Sequence, residues 1–363
     1  MLHQFLLPYV TTSHLANLMH YTTFRAIVAF ILSLFLSIIF GKEIILQLEK
    51  IQKFGQPIRD DGPNSHKEKA GTPTMGGIII VGFGTLVSLL LCDLSNHHVR
   101  IILFTALSFS ALGFVDDYKK VVSMKHAGLS ARKKIMWQTL ISVICCVYIY
   151  RYSPLEYSTH LVFPFLKNYI IDLGIYWYIL FSIIVITGSS NSVNLTDGLD
   201  GLAIVPCVFS ILSLSCIAYI VGDIFYAEYL NLVHIPDAAE ILVLGFSLIG
   251  SCLGFLWYNA KPAQIFMGDI GSLSLGGIIG VIAVAIKHEF TLAIIGGLFV
   301  IEALSVVIQV LYFKISGGKR VFLMAPLHHH YEQLGIPESK IVIRFWIIAA
   351  IFSVIGMCTL KIR

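Results

Sequence analysis

Charged side chains are scarce in this sequence. Asp, Glu, Lys and Arg make up 13% of its 363 residues, against about 25% in an ordinary soluble domain. Hydrophobic residues make up 57%, and the mean hydropathy is +0.83. So small a polar share cannot cover a water-soluble fold of this length. A soluble cytosolic enzyme, a disordered chain and a secreted disulfide scaffold are thereby excluded, and the chain reads as an integral membrane protein. Cysteine is sparse too: Cys92, Cys145, Cys146, Cys207, Cys216, Cys252 and Cys358 are odd in number, form no CxxC pair and lie in or beside apolar segments. They read as small core residues, not as disulfides or zinc ligands. Met1 to Tyr21 lack a basic stretch ahead of their apolar residues, so no cleavable signal peptide is expected. The net charge of +4 is small and scattered, which argues against nucleic acid. No internal repeat, soluble domain or long linker interrupts the chain, so residues 1–363 are expected to form a single polytopic domain.

What the sequence does have is long apolar runs. A bilayer-spanning helix needs about 20 mostly apolar residues, fewer where its end sits in the interface. Ten segments qualify: Phe24–Ile45, Met75–Leu91, Ile101–Val115, Ile135–Tyr150, Ile175–Ile186, Leu202–Val221, Ile241–Tyr258, Leu273–Ile286, Phe290–Phe313 and Ile341–Leu360. The apolar residues continue around each helix instead of alternating, which excludes a β-barrel. The odd-numbered loops between these segments hold sixteen Lys and Arg, whereas the even-numbered loops hold only Arg100, Arg151, Lys167 and Lys287. Basic residues stay cytoplasmic, so the odd loops are expected inside and both termini outside. The even loops, such as 222–240, read as plain connections.

Four polar clusters fall at the expected cytoplasmic ends of these helices. Asp116-Asp117, followed by Lys119 and Lys120, closes the third segment. Two carboxylates at a helix C-terminus oppose its dipole, and they fit a divalent cation site or a general base; a solvated end neutralised by the lysines is the plainer alternative. Neighbouring helical positions point about 100° apart, so the two aspartates are expected to have different roles. Residues 191–201, with Asn191, Asn194, Thr196, Asp197 and Asp200 around Gly198 and Gly201, lead into the sixth segment. Helix capping would need only one such residue; the rest favour a pocket for a ligand rich in hydrogen-bonding groups. Residues 257–272 carry Asn259, Phe266 and Asp269. Asp269 could be the N-cap of the eighth helix, and Phe266 could stack on a flat base or pack into the bundle. Residues 325–332 contain His328-His329-His330. Three successive histidines do not readily converge on one zinc ion, whereas a role as cations or donors aimed at a phosphate or sugar suits them; an exposed polar loop is the alternative. Lys69, ahead of the flexible turn at 71–77, adds a further cation. Carboxylate oxygens without soft ligands suit Mg²⁺ or Mn²⁺, and the surrounding Lys and His suit a phosphate-rich anion. These residues point to phosphoryl chemistry at one membrane face without naming the substrate.

Asp116-Asp117, residues 194–201, residues 266–269 and His328-His329-His330 closely resemble the signatures of the polyprenyl-phosphate N-acetylhexosamine-1-phosphate transferases. Residues 326–332 and 69–77 are similar to the phospho-N-acetylmuramoyl-pentapeptide transferase (MraY) branch. The resemblance runs from about residue 50 to the C-terminus, and the first forty residues carry nothing diagnostic. It implies a multi-pass enzyme of the bacterial plasma (inner) membrane with Mg²⁺ as cofactor. UDP-N-acetylmuramoyl-pentapeptide and undecaprenyl phosphate would give lipid I and UMP. It further implies Asp269 as principal Mg²⁺ ligand, Asp116 as base and Asp117 as a nearby essential carboxylate. Lys69, Thr74, Asn194, Asp197, Gly198, Leu199, Asp200 and Phe266 would line the uridine-diphosphate region, with Asn259 close by. His328, His329 and His330 would hold the donor's sugar or phosphates, and Lys120 and Lys133 would contact phosphate or substrate. A homodimer is expected on the same ground. Two alternatives are set against this reading. A transporter would place its carboxylates near the bilayer midplane, and a sister transferase would take UDP-N-acetylglucosamine or another UDP-aminosugar.

Overall fold

The computed structural model describes residues 5, 14–52, 71–123, 128–154, 156–166 and 170–361. The described residues are predominantly helical: α1 (His14–His20), α2 (Thr22–Ile51), α3 (Gly77–Leu91), α4 (His97–Ser123), α5 (Ala131–Tyr152), α6 (Gly174–Thr196), α7 (Ile204–Val221), α8 (Ile224–Leu230), α9 (Ile241–Asn259), α10 (Gly268–Ala285), α11 (Glu289–Ile295), α12 (Gly297–Ile315), α13 (Leu327–Gln333) and α14 (Glu338–Cys358). Among the described residues nine helices are long and apolar enough to cross a membrane, and α3 is a shorter apolar tenth. Helices are the outcome because backbone N–H and C=O groups in hydrocarbon must pair within their own segment. Large apolar side chains such as Ile31, Phe35, Leu311 and Ile351 stay exposed on α2, α12 and α14, which is the dress of a lipid-facing surface. The protein is a multi-pass membrane protein.

Each of the ten expected segments has its helix, but several bounds differ. The third runs to Ser123 instead of Val115, so Asp116-Asp117 lie inside α4 and not at its C-terminus. The fifth runs to Thr196 instead of Ile186, so Asn191 and Asn194 belong to the last turns of α6 and not to a loop. The ninth is broken at Gly296 into α11 and α12. The even loops are also more than plain connections. One carries a two-stranded antiparallel hairpin, β1 (His160–Val162) and β2 (Ile170–Asp172), pairing Leu161 with Ile171; another carries α8, capped by the Asp223 carboxylate on the N–H groups of Phe225 and Tyr226.

Helix α10 is the axis of the molecule, buried along nearly its whole length. Its glycines allow this. A Cβ at Gly77 of α3 would overlap the backbone of Gly271, and one at Gly276 would stand 2.6 Å from the Ser189 carbonyl and Ser190 Cα of α6. Association inside a membrane depends on such small residues, because lipid offers no hydrophobic drive between helices. The same device joins α2 to α9, where Gly250 meets the Phe30 carbonyl and Gly254 meets Ser37. Tyr258 closes that seam by donating its hydroxyl to the Ile38 carbonyl at 2.5 Å. At the far end of the bundle Arg25 forms a buried two-pronged pair with Glu240, at 2.5 and 2.9 Å.

Candidate active site

Helices α4 and α10 cross where a Cβ at Gly113 would overlap the Asp269 carbonyl. This contact sets Asp116 and Asp117, one turn further along α4, against Asp269 in the first turn of α10. The three buried carboxylates each offer an oxygen within 4.8 Å of the others. Two lysines meet them. Lys120 reaches Asp116 at 2.6 Å, Asp117 at 3.4 Å and Asp269 at 3.0 Å, and Lys134 reaches Asp269 at 2.8 Å. Asn194 donates its amide to the other Asp269 oxygen at 2.7 Å and to Ser272 at 2.8 Å. Backbone N–H groups complete the set: Leu129 donates to Asp116 at 2.6 Å and Ile270 to Asp117 at 3.3 Å. Met267 and not Asp269 occupies the N-cap of α10, which leaves the Asp269 carboxylate free to face the lysines. An all-oxygen acidic set of this kind fits a hard divalent cation and offers nothing to a soft one.

The approach to α3 forms one wall of this region. Phe266 N donates to the Pro73 carbonyl, while Gly76 and Gly77 donate to the Phe266 and Met267 carbonyls, all at 2.8–2.9 Å. Gln52, just past α2, clamps Thr74 in both directions at 2.9 and 3.0 Å. The Thr74 hydroxyl is buried without a hydrogen-bond partner among the described residues, and it packs with the Asp117 carboxylate on Gly268. Phe266 is half-buried beside it.

The turn at 197–201 follows α6. Asp197 is half-buried, and its carboxyl is pushed up to about 8, first by desolvation and then by Asp269, Asp117 and Asp200. Leu199 packs in a small core with Phe345 and Ala349 of α14. The Asp200 carboxylate accepts from Ala263 N at 3.2 Å, and Asn259 accepts from Gly201 N at 3.0 Å while donating to the Ile265 carbonyl at 2.8 Å. His328 lies on Gly198, where any Cβ would collide with its Nε2.

The three histidines lie on a short helix, α13, and not in an open loop. His328 is fully buried with Nδ1 3.0 Å from Glu302 of α12. Burial lowers its pKa, with Glu302 opposing. His329 pairs with Glu332 at 2.7 Å, and His330 accepts from Leu323 N at 3.2 Å.

Asp116, Asp117, Asp269, Lys120 and Asn194 thus meet in one cluster, and Thr74, Asp197, Gly198 and His328 stand around it. Lys69 lies outside the described residues. Lys133 points to solvent, and its neighbour Lys134 makes the contact instead. Sequence reasoning missed Lys134, Gln52, Ser272, Glu302 and Glu338. The signal for Lys134 was spacing: four residues before the buried Gln138, it shares the packed face of α5.

Residues 99–287 match glycosyl transferase family 4, and residues 69–81 match the phospho-N-acetylmuramoyl-pentapeptide-transferase signature 1. The chain is 55% identical over 363 residues to the phospho-N-acetylmuramoyl-pentapeptide-transferases of Rickettsia akari (strain Hartford) and Rickettsia felis (strain ATCC VR-1525 / URRWXCal2). It is 56% identical to that of Rickettsia rickettsii (strain Sheila Smith). In each case all of both chains is covered.

Proposed function

This chain is a transferase belonging to the phospho-N-acetylmuramoyl-pentapeptide-transferase family, and from that premise we propose the reaction it carries out. It moves phospho-N-acetylmuramoyl-pentapeptide from UDP-N-acetylmuramoyl-pentapeptide to undecaprenyl phosphate, giving lipid I and UMP. The observation that carries the proposal is the meeting of three carboxylates, two lysines and one amide at one end of the bundle. We assign that end to the cytoplasmic face of the bacterial plasma membrane, with both termini outside, from the distribution of Lys and Arg. Residues 1–363 act as one domain, and the family leads us to expect a homodimer.

An oxygen of the lipid phosphate attacks the sugar-bearing phosphorus of the donor as that phosphorus releases UMP; direct in-line displacement is the simplest route. Both partners are anionic, so their approach must be screened. Lys120 and Lys134 supply fixed positive charge where the phosphates meet, in a recessed site where such charge acts more strongly than in water. Asp116, oriented by the Leu129 N–H, takes the proton of the lipid phosphate where one is present. Asp117 sits behind it, on the N–H of Ile270. Thr74, Asn194, Phe266 and the turn at 197–201 hold the nucleotide, and His328 faces the donor across Gly198. Mg²⁺, held chiefly by Asp269 with Asp116 and Asp117 in reach, would screen the pyrophosphate and stabilise charge on the departing UMP.

The test is UMP release by the purified protein with undecaprenyl phosphate and the muramoyl donor, with and without Mg²⁺. UDP-N-acetylglucosamine and an Asp269→Ala variant run alongside. Mg²⁺-dependent release from the muramoyl donor alone, lost in the variant, is expected. Release from the glucosamine donor instead would overturn the donor assignment, and no release from either by a folded sample would overturn the reaction.

A further inference from the structure

The turn at 197–201 has no regular structure, yet a closed ring of contacts grips it. Glu338, the first residue of α14, is 5% exposed. One of its oxygens accepts from Asp200 N at 3.1 Å, and the other holds the Lys261 ammonium at 2.6 Å. Two residues past Lys261, Ala263 donates to the Asp200 carboxylate, which returns the ring to the turn. Trp346, further along the same helix, donates its indole N–H to the Gly201 carbonyl at 3.2 Å. Gly201 has φ +74°, a conformation that glycine adopts without steric cost.

Burying a carboxylate is costly unless it is paired on all sides. Here the pairing is complete, and the start of a 21-residue helix adds its dipole. None of these partners is one of the three clustered carboxylates, so the ring does no chemistry. Its effect is to fix the backbone three residues downstream of Asp197, and hence the presentation of Asp197 and Gly198.

We propose that Glu338, assisted by Lys261 and Trp346, is a positioning residue for the donor nucleotide. The proposal rests on the reading that the 197–201 turn lines the donor. With the ring intact, the turn is ordered before the donor arrives. Without it, the donor must order the turn itself, and donor affinity falls while the acceptor's contacts at the carboxylate cluster are unchanged.

The experiment is steady-state kinetics with each substrate varied in turn, on Glu338→Ala, Glu338→Gln, Lys261→Ala and Trp346→Phe, with Asp197→Asn as reference. A hydrogen bond to a charged group is lost in Glu338→Ala, so the donor KM should rise about tenfold while the acceptor KM stays within about twofold. Glu338→Gln keeps an acceptor for Asp200 N and should recover most of that loss. Lys261, 43% exposed along its side chain, pairs with the other Glu338 oxygen, and its removal should give a smaller rise in the same direction. Trp346→Phe should do likewise. Equal losses in donor KM, acceptor KM and kcat, tracking a lower melting temperature, would overturn the positioning role. If Asp197→Asn raises the donor KM and none of the ring variants does, this proposal fails and the site reading stands. If Asp197→Asn also leaves the donor KM unchanged, the site reading fails with it.

Discussion

Lys133 and Lys134 are adjacent, identical in kind and both on the first turn of α5, yet one faces water and the other binds Asp269. The difference is a rotation of about 100° per residue, which sets only Lys134 on the face that carries Gln138, Ser142 and Cys145 into the bundle. Lys134→Ala should therefore lower the transfer rate about tenfold or more, since it removes a charge-assisted hydrogen bond at the site. Lys133→Ala should leave that rate within about twofold. Initial rates of UMP release on the two variants check this, and equal effects would sink the assignment. Residue types at this site were legible because paired carboxylates, consecutive histidines and glycine-flanked aspartates are rare in apolar sequence. The supporting shell was not. Glu302 sits in the middle of an apolar run, and nothing in its neighbours announces that a histidine 26 residues away will pair with it. Glu338 opens a helix, where an acidic residue is ordinary, so its grip on Asp200 could be found only in three dimensions.

Elements show where hydropathy and helicity part company. The apolar runs end near Val115 and Ile186, where polar residues begin, but α4 and α6 continue to Ser123 and Thr196. A helix needs its backbone paired, and buried polar side chains do not prevent that. Hence the number and order of the segments were readable, while the ends of those nearest the site were not. The hairpin of β1 and β2 is too short to leave a pattern. Glycine seams are the other feature at this scale. Gly113 and Gly82 lie on neighbouring helices, but a Cβ at Gly113 meets the Asp269 backbone and one at Gly82 meets nothing within 4 Å. Gly113→Ala should cost about 1–3 kcal/mol of stability through overpacking and should lower activity with it, because the same contact sets the carboxylates. Gly82→Ala should do neither. Melting temperature and rate, measured together on both variants, decide the point.

Across the whole molecule, every group named at the site belongs to one end of the bundle, and the Arg25–Glu240 pair to the other. The orientation proposed here makes the site end cytoplasmic, so alkaline phosphatase fused after Arg363 should be active and the same enzyme fused after Lys133 should be inactive. The reverse pattern would invert the protein in the membrane and leave the donor on the wrong side. The burial of α10 carries a further consequence. It is wrapped almost completely by its neighbours, while α2, α6, α12 and α14 expose much of their surface. A thinner or thicker bilayer acts on the helices it touches, through tilt and local compression. The helix that carries Asp269 has almost no surface for lipid to push on, so the membrane's mechanical state reaches the outer ring first and the chemistry last.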